Sequence, residues 1–389
     1  MINMKGDGFI NPKERVYAAI EGKPLDIWPV TAPYTMLSNA DHWEELTGLP
    51  VYKYYEWQNT TDMNWYREIY KTIYDQQPFD IVQPDFASSL AQRKNRTVEI
   101  VVRDGTAYFH NKEKDTLTPV PTNTHNTGSG GGENETRYIF NKADACQRLK
   151  LVKAEKMLED GANCSCDELI KLYGSSRFVV IGGVVNTFYS NSFHVGMTNL
   201  YIMLHEEPQL IKYISELLLE QNIEHIRAFA AADGDAIYID DATATCDMIS
   251  RQMYEEFSLP YIKQQVKEIQ QLGKKAILIY FGGIADRIDL IASTGADMLM
   301  MECSMKGYVN DYAKTYPQLN GMCLAGNLNP YEDIEITSDC ELEKRIQNMI
   351  KMGERYGKYI TSTGSPITPK TSLKRIQKYI ELAHSPLSQ

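Results

Sequence analysis

The chain has 389 residues, and its 40 Lys plus Arg against 51 Asp plus Glu give a formal net charge of −11. That acidic excess argues against nucleic acid or an anionic membrane as a partner, since both are bound by a concentrated basic face. With 43% hydrophobic and 23% charged residues the chain is not disordered as a whole, and its seven scattered cysteines do not resemble a secreted disulfide framework. No run of about 18 apolar residues suggests a membrane span. The opening MINMKGDGFINPKERV lacks the apolar middle of a signal peptide, so a cytoplasmic location is expected.

In chain order, the first expected strands are Asp26–Val30, limited by Pro29 to a short or edge role, and Phe79–Val82, bounded by Pro78 and Pro84. Thr97–His110 (TVEIVVRDGTAYFH) reads as two strands joined by Asp104-Gly105, a hairpin signal, with Thr136–Phe140 as a candidate third strand. Gly128–Gly132 between them reads as a mobile loop, either a lid or plain surface. From there short apolar runs alternate with amphipathic segments. The runs are Phe178–Ile181, Ala236–Ile239, Ala276–Tyr280, Met298–Met301, Met322–Ala325 and Tyr359–Ser362. Continuous apolar runs suit strands buried on both faces. The helical patterns are Gln209–Ala231, Arg251–Leu272, Ile284–Thr294, Glu341–Tyr356 and Leu373–Ala383, with Asp339 and Thr371 at N-cap positions. Two strands plus six make the eight of a (β/α)₈ barrel, in one domain spanning 1–389 with an insertion over 97–140. A doubly wound sheet is the alternative, but no Gly-rich phosphate fingerprint follows any strand.

Barrel enzymes carry their active sites at the C-terminal ends of the strands. That rule selects Asn186 beyond the first of the six runs, Asp241, Tyr280, Glu302, Asn327 and Ser365. Asp241 and Glu302 form a carboxylate pair fit to hold a metal or act as acid and base, against the plain reading of a helix cap or an Arg partner. Alternation along the strand turns Asp240 into the barrel wall. His194 is the histidine nearest a strand-end loop and would help Glu302 and Asp241 if zinc or another divalent metal binds. Cys164 and Cys166 lack a second pair at zinc spacing and read as structural, and Cys303 as a buried thiol. The cluster Tyr52, Tyr54, Tyr55, Trp57, Trp65, Tyr66, Tyr70 and Tyr74 is either core or the wall of an aromatic pocket.

Several stretches resemble the uroporphyrinogen decarboxylase superfamily. These are Asn11–Tyr34 (NPKERVYAAIEGKPLDIWPVTAPY), Asp241–Ile249 (DATATCDMI), Tyr254–Tyr261 (YEEFSLPY), Ala325–Asn329 (AGNLN) and Ser362–Pro369 (STGSPITP). The resemblance implies a single (β/α)₈ barrel. True decarboxylases hold substrate carboxylates with arginines near the N-terminus, whereas Trp28–Trp43 here contains no Arg. The chain is more similar to the corrinoid-dependent methyltransferase branch, which implies a corrinoid-carrying partner protein and a small methylated substrate, an ether or an amine. The branch's zinc ligands, His-x-Cys and a later Cys, fall on Ile279-Tyr280-Phe281 and Ser365, so thiol activation by that site is not expected. Asp241 and Glu302 match the branch's acidic positions and would orient or protonate the heteroatom, with Asn327 and Tyr280 binding substrate. Two alternatives stand beside this: a lyase on the same fold, and a non-catalytic member that binds a corrinoid protein. A homodimer is left open.

Overall fold

The computed structural model describes residues 10–85, 87–122, 136–304 and 307–384. Eleven strands occur among them: β1 (Val30–Thr31), β2 (Ile81–Val82), β3 (Val98–Arg103), β4 (Thr106–Asn111), β5 (Thr116–Pro119), β6 (Phe178–Val185), β7 (Ala236–Asp240), β8 (Lys275–Tyr280), β9 (Met298–Met301), β10 (Cys323–Ala325) and β11 (Tyr359–Ser362). Eight of them make one parallel sheet in the order β1-β11-β10-β9-β8-β7-β6-β2, wrapped by helices as a (β/α)₈ barrel. The other three form a separate antiparallel sheet, β3-β4-β5, in which the predicted hairpin turns at Asp104-Gly105. That sheet rests on the helix Tyr52–Gln58, where Tyr55 meets Phe109 edge-on at 5.4 Å. No helix among the described residues is long and apolar enough to cross a membrane.

The seam between β1 and β2 is closed by a side chain. Asp80 N–H donates to the Val30 carbonyl at 3.0 Å, and Val30 N–H donates to Asp80 Oδ2 at 2.8 Å. This carboxylate is fully buried, which is affordable because Arg15 bridges it to Asp26 and His384 Nε2 lies 2.7 Å away.

Inside the barrel Phe178, Val180, Ala236, Tyr238, Ile277, Ile279, Met298, Met300, Cys323, Ala325 and Ile360 form one cluster. Their neighbours Ile237, Ile239, Leu278, Tyr280, Leu299, Met301 and Leu324 belong to the larger layer between strands and helices. This two-sided burial is why the strands read as unbroken apolar runs.

Some local expectations shift. The first strand begins at Val30 because Pro29 has no N–H to give a ladder. The helix expected over Arg251–Leu272 is two, Arg251–Phe257 and Leu259–Gln271, because Pro260 must sit in a first turn. Only Ile288–Ala292 of the segment 284–294 is helical. Ser338 and Ser372 cap the last two helices, each one residue from the expected Asp339 and Thr371. The third strand of the small sheet is Thr116–Pro119, while residues 136–140 are not strand. Gly128–Gly132 lies outside the described residues.

Candidate functional site

The C-terminal ends of β7, β8, β9, β10 and β11 converge on the barrel mouth, and side-chain parity decides which residues reach it. Met298 and Met300 face the lumen, so Glu302, two residues on, faces it as well. Glu302 is 3% exposed. Its Oε1 accepts from Ser365 Oγ at 3.0 Å, and its Oε2 accepts from the Tyr308 hydroxyl. Asn327 Nδ2 donates to the Asn310 carbonyl at 2.9 Å and the Glu302 carbonyl at 3.4 Å. Asn310 in turn donates to the carbonyls of Gly282 and Glu302. Glu302, Asn327 and Ser365 are thus brought together.

Gly364 makes this contact possible. A Cβ there would lie 2.2 Å from the Cys303 nitrogen and 2.8 Å from the Glu302 carbonyl carbon, so only glycine lets the Ser362–Ser365 loop press against the end of β9. Cys303 is buried beneath it, and burial, with the neighbouring Glu302, pushes its thiol up to about 12. It is a packed thiol and not a nucleophile.

Asp241, Tyr280 and Asn186 are placed elsewhere. Ala236 and Tyr238 point inward, so Asp240 does too, and Asp241 turns behind the wall, the reverse of the expected orientation. Asp241 is fully buried, with Oδ1 accepting from Asn186 Nδ2 at 3.0 Å and Ser258 Oγ at 3.4 Å. Burial raises its pKa to about 7, opposed by the Asn186 hydrogen bond. Tyr280 donates to the Ala244 carbonyl at 2.7 Å and packs edge-on to Tyr254, while the buried Arg287 donates to the Ala244 and Ile249 carbonyls. The three form a polar layer between the strand ends and the helices, out of contact with the lumen.

The metal set Glu302, Asp241 and His194 is likewise not assembled. His194 sits near the end of the helix Thr187–Val195, nine residues beyond Val185, the last residue of β6. Burial and the charge of Arg148 lower its pKa. Among the described residues no group of three or more His, Cys, Asp or Glu could hold a metal ion. At the positions of the zinc pattern, Ile279 lies in the apolar lumen, Phe281 packs on Tyr34 and Ser365 is held by Glu302. The residues present do not fit zinc.

Two further carboxylates stand at the mouth: Asp240, expected in the barrel wall, and Asp85, which the sequence reading does not single out. Asp240 ends β7 on the lumen side, where the Tyr34 hydroxyl donates to Oδ2 at 2.7 Å; burial raises its pKa to about 6. Asp85 follows β2, and the strand-end rule that picked Glu302 would have picked it too. Among the described residues its Oδ1 has no hydrogen-bond partner, and burial raises its pKa to about 7. It lines a cavity of about 120 Å³ with Gln83, Asn163, Ser165, Gly182, Gly183 and Tyr238, where β6 bulges after Val180. The early aromatic cluster supports this loop from behind. Tyr74 donates to the Gln83 carbonyl at 2.6 Å, Tyr70 accepts from Asp85 N–H at 3.1 Å, and Trp57 stacks on Tyr66 at 4.5 Å. Those four rings are core.

A family model described as Uroporphyrinogen decarboxylase (URO-D) matches residues 134–386. Among similar curated proteins, Uroporphyrinogen decarboxylase 2, chloroplastic, of Arabidopsis thaliana is 25% identical over 210 residues, covering 54% of this chain and 48% of that protein. Methylcobamide:CoM methyltransferase MtbA of Methanosarcina mazei is 23% identical over 215 residues, 55% of this chain and 60% of the relative. The chain thus spans about half to three fifths of these relatives' length. A solved structure titled methyltransferase from Methanosarcina mazei superposes with a TM-score of 0.66 over 96% of this chain and 98% of its own, at 15% identity, a likeness of fold.

Proposed function

Because the chain belongs to the uroporphyrinogen decarboxylase family, we propose that it is a methyltransferase moving a methyl group between a small methylated substrate at the barrel mouth and the cobalt of a corrinoid on a partner protein, in the cytoplasm. The observation that carries this is the chemistry of the mouth. Where a polycarboxylate substrate would need cations, the segment from Trp28 to Trp43 has no arginine, and it presents Tyr34 to a lumen bordered by Asp240, Tyr238 and Phe281. A porphyrinogen would find like charges there. The name of the MtbA relative, which is said of that protein, supports the methyl-transfer side of the family.

The lack of a zinc-fitting donor set speaks for the half-reaction that removes methyl from its donor, and against thiol methylation. The corrinoid supplies the nucleophile. This chain has to position the methyl group and help the leaving heteroatom, whose bond to carbon breaks with the electron pair staying on the heteroatom. Glu302, fixed by Ser365 and Tyr308, is the group we assign to that contact, with Tyr308 able to relay a proton through its hydroxyl. Asn327 holds the backbone of Glu302 in place.

The test mixes purified protein with reduced corrinoid protein and a panel of methylated amines and ethers while following the corrinoid spectrum. Methylation with at least one donor, and no turnover of uroporphyrinogen, is expected. Decarboxylation of uroporphyrinogen, or efficient methylation of coenzyme M from methylcobalamin, would overturn the proposal.

A further inference from the structure

Asp85 lines a cavity of about 120 Å³ that none of Glu302, Tyr308, Asn327 or Ser365 borders. Asp85 is 7% exposed, and among the described residues neither carboxyl oxygen accepts a hydrogen bond from another residue. Oδ1 is sealed from solvent; Oδ2 is not, and it is the oxygen left for the void. No Lys, Arg or His among the described residues pairs with this carboxyl. Arg93 reaches the cavity lining at Ser165, but its guanidinium is spent on the Ser165 hydroxyl, the carbonyls of Ser88 and Thr60 and the face of Tyr66. Asn163 adds a second acceptor. Its Nδ2 donates to the Ala228 carbonyl at 2.7 Å, so its Oδ1 is what remains for the cavity. Much of the remaining lining is apolar, with Met36, Ala87, Ala162 and the Phe229 and Tyr238 rings. The rings come this close because β6 carries two glycines. A Cβ on Gly182 would lie 2.8 Å from the Phe229 ring, and one on Gly183 would lie 2.2 Å from the Tyr238 ring.

A buried carboxylate without a partner is costly, and a guest that brings positive charge and N–H donors offsets that cost. Two acceptors on one void select a guest with at least two donors. Water has the donors but no charge, a quaternary ammonium has the charge but no N–H, and an alcohol has one O–H and no charge. A primary ammonium has three N–H groups and the charge, and its alkyl tail suits the apolar lining. The space is smaller than the void of about 150 Å³ that takes a benzene ring, which limits the guest to about five heavy atoms. We propose that this cavity is a binding site for a small primary ammonium ion, held by Asp85 Oδ2 and Asn163 Oδ1 with its alkyl tail among Met36, Ala87 and Phe229. The site does not rest on the methyl-transfer reading above.

The test is an NMR titration of the full chain with n-propylammonium chloride, set against 1-propanol and tetramethylammonium chloride. Propylammonium should bind at least about tenfold more tightly than either. Asp85→Asn keeps the shape of the side chain and removes its charge, so it should weaken binding about tenfold or more. Ala162→Leu fills the void and spares the carboxyl, so it should abolish binding; it decides the matter if Asp85→Asn fails to fold. Failure of propylammonium to bind would mean that the cavity holds water only and would overturn the proposal. Equal binding of the three probes, or an affinity that Ala162→Leu leaves unchanged, would overturn it too. Neither corrinoid protein nor methyl donor enters the titration, so its result stands apart from that of the methyl-transfer assay.

Discussion

Glu302 and Asp241 carry the sharpest contrast at the scale of single residues. Glu302 sits at the mouth between two hydroxyl donors, so Glu302→Gln should lower the methyl-transfer rate by about 10²-fold or more, the size of a lost acid–base contact. Single-turnover changes in the corrinoid spectrum would measure it, and a rate within a factor of a few of the parent would remove Glu302 from the chemistry. Asp241 predicts a stability effect. Its folded pKa of about 7 lies above that of an unfolded aspartate, so the folded state holds the proton more tightly and loses stability as pH climbs from about 4 to 7. Asp241→Asn removes that penalty. Its unfolding free energy relative to the parent, read from urea titrations at several pH values, should therefore rise across this range, by on the order of a few kcal/mol at most, and a pH-independent difference would refute the account. The sequence pointed to both positions but had the two aspartates reversed. The run Ala236–Ile239 is apolar on both faces, so no alternation marks which side is the lumen, and only the contacts of Tyr238 and Ile239 reveal it. Asp85 was in reach of the same strand-end rule but was overlooked beside Pro84.

Among the elements, all eight barrel strands were legible, because a strand covered on both faces leaves a compact apolar run between Gly and Asp. Boundaries were less so. Ser338 and Ser372 took caps assigned one residue away, since adjacent residues of similar cap propensity are separated only by which side chain reaches the N–H. The loop after β11 was legible as a motif but its purpose was not; the close approach of Gly364 to the Cys303 backbone is a tertiary fact. Gly364→Ala must push that loop off the end of β9. A loss of about 1–3 kcal/mol in urea unfolding is expected, together with a fall in activity as Ser365 leaves Glu302. Unchanged stability and rate would mean that the loop has slack the packing does not show.

For the whole molecule the decisive contact is the Asp80 seam. Asp80→Ala leaves Arg15 with one carboxylate partner and strips Val30 N–H of its acceptor, and it should cost about 3–5 kcal/mol in chemical denaturation. A cost below 1 kcal/mol would show that the barrel closes without it. That same seam also has a meaning in time. Among the described residues β1 has a ladder with β11 alone, Val30 against Thr361 and Thr31 against Ser362, and meets the β2 side through Asp80. β1 leaves the ribosome about 330 residues ahead of its partner, roughly 15–70 s of synthesis at ordinary elongation rates. Until then Trp28, Trp43 and Trp57, all buried in the finished core, have no complete surface to cover them. The segment from Trp28 to Trp57 therefore keeps its apolar surface incompletely covered for most of synthesis.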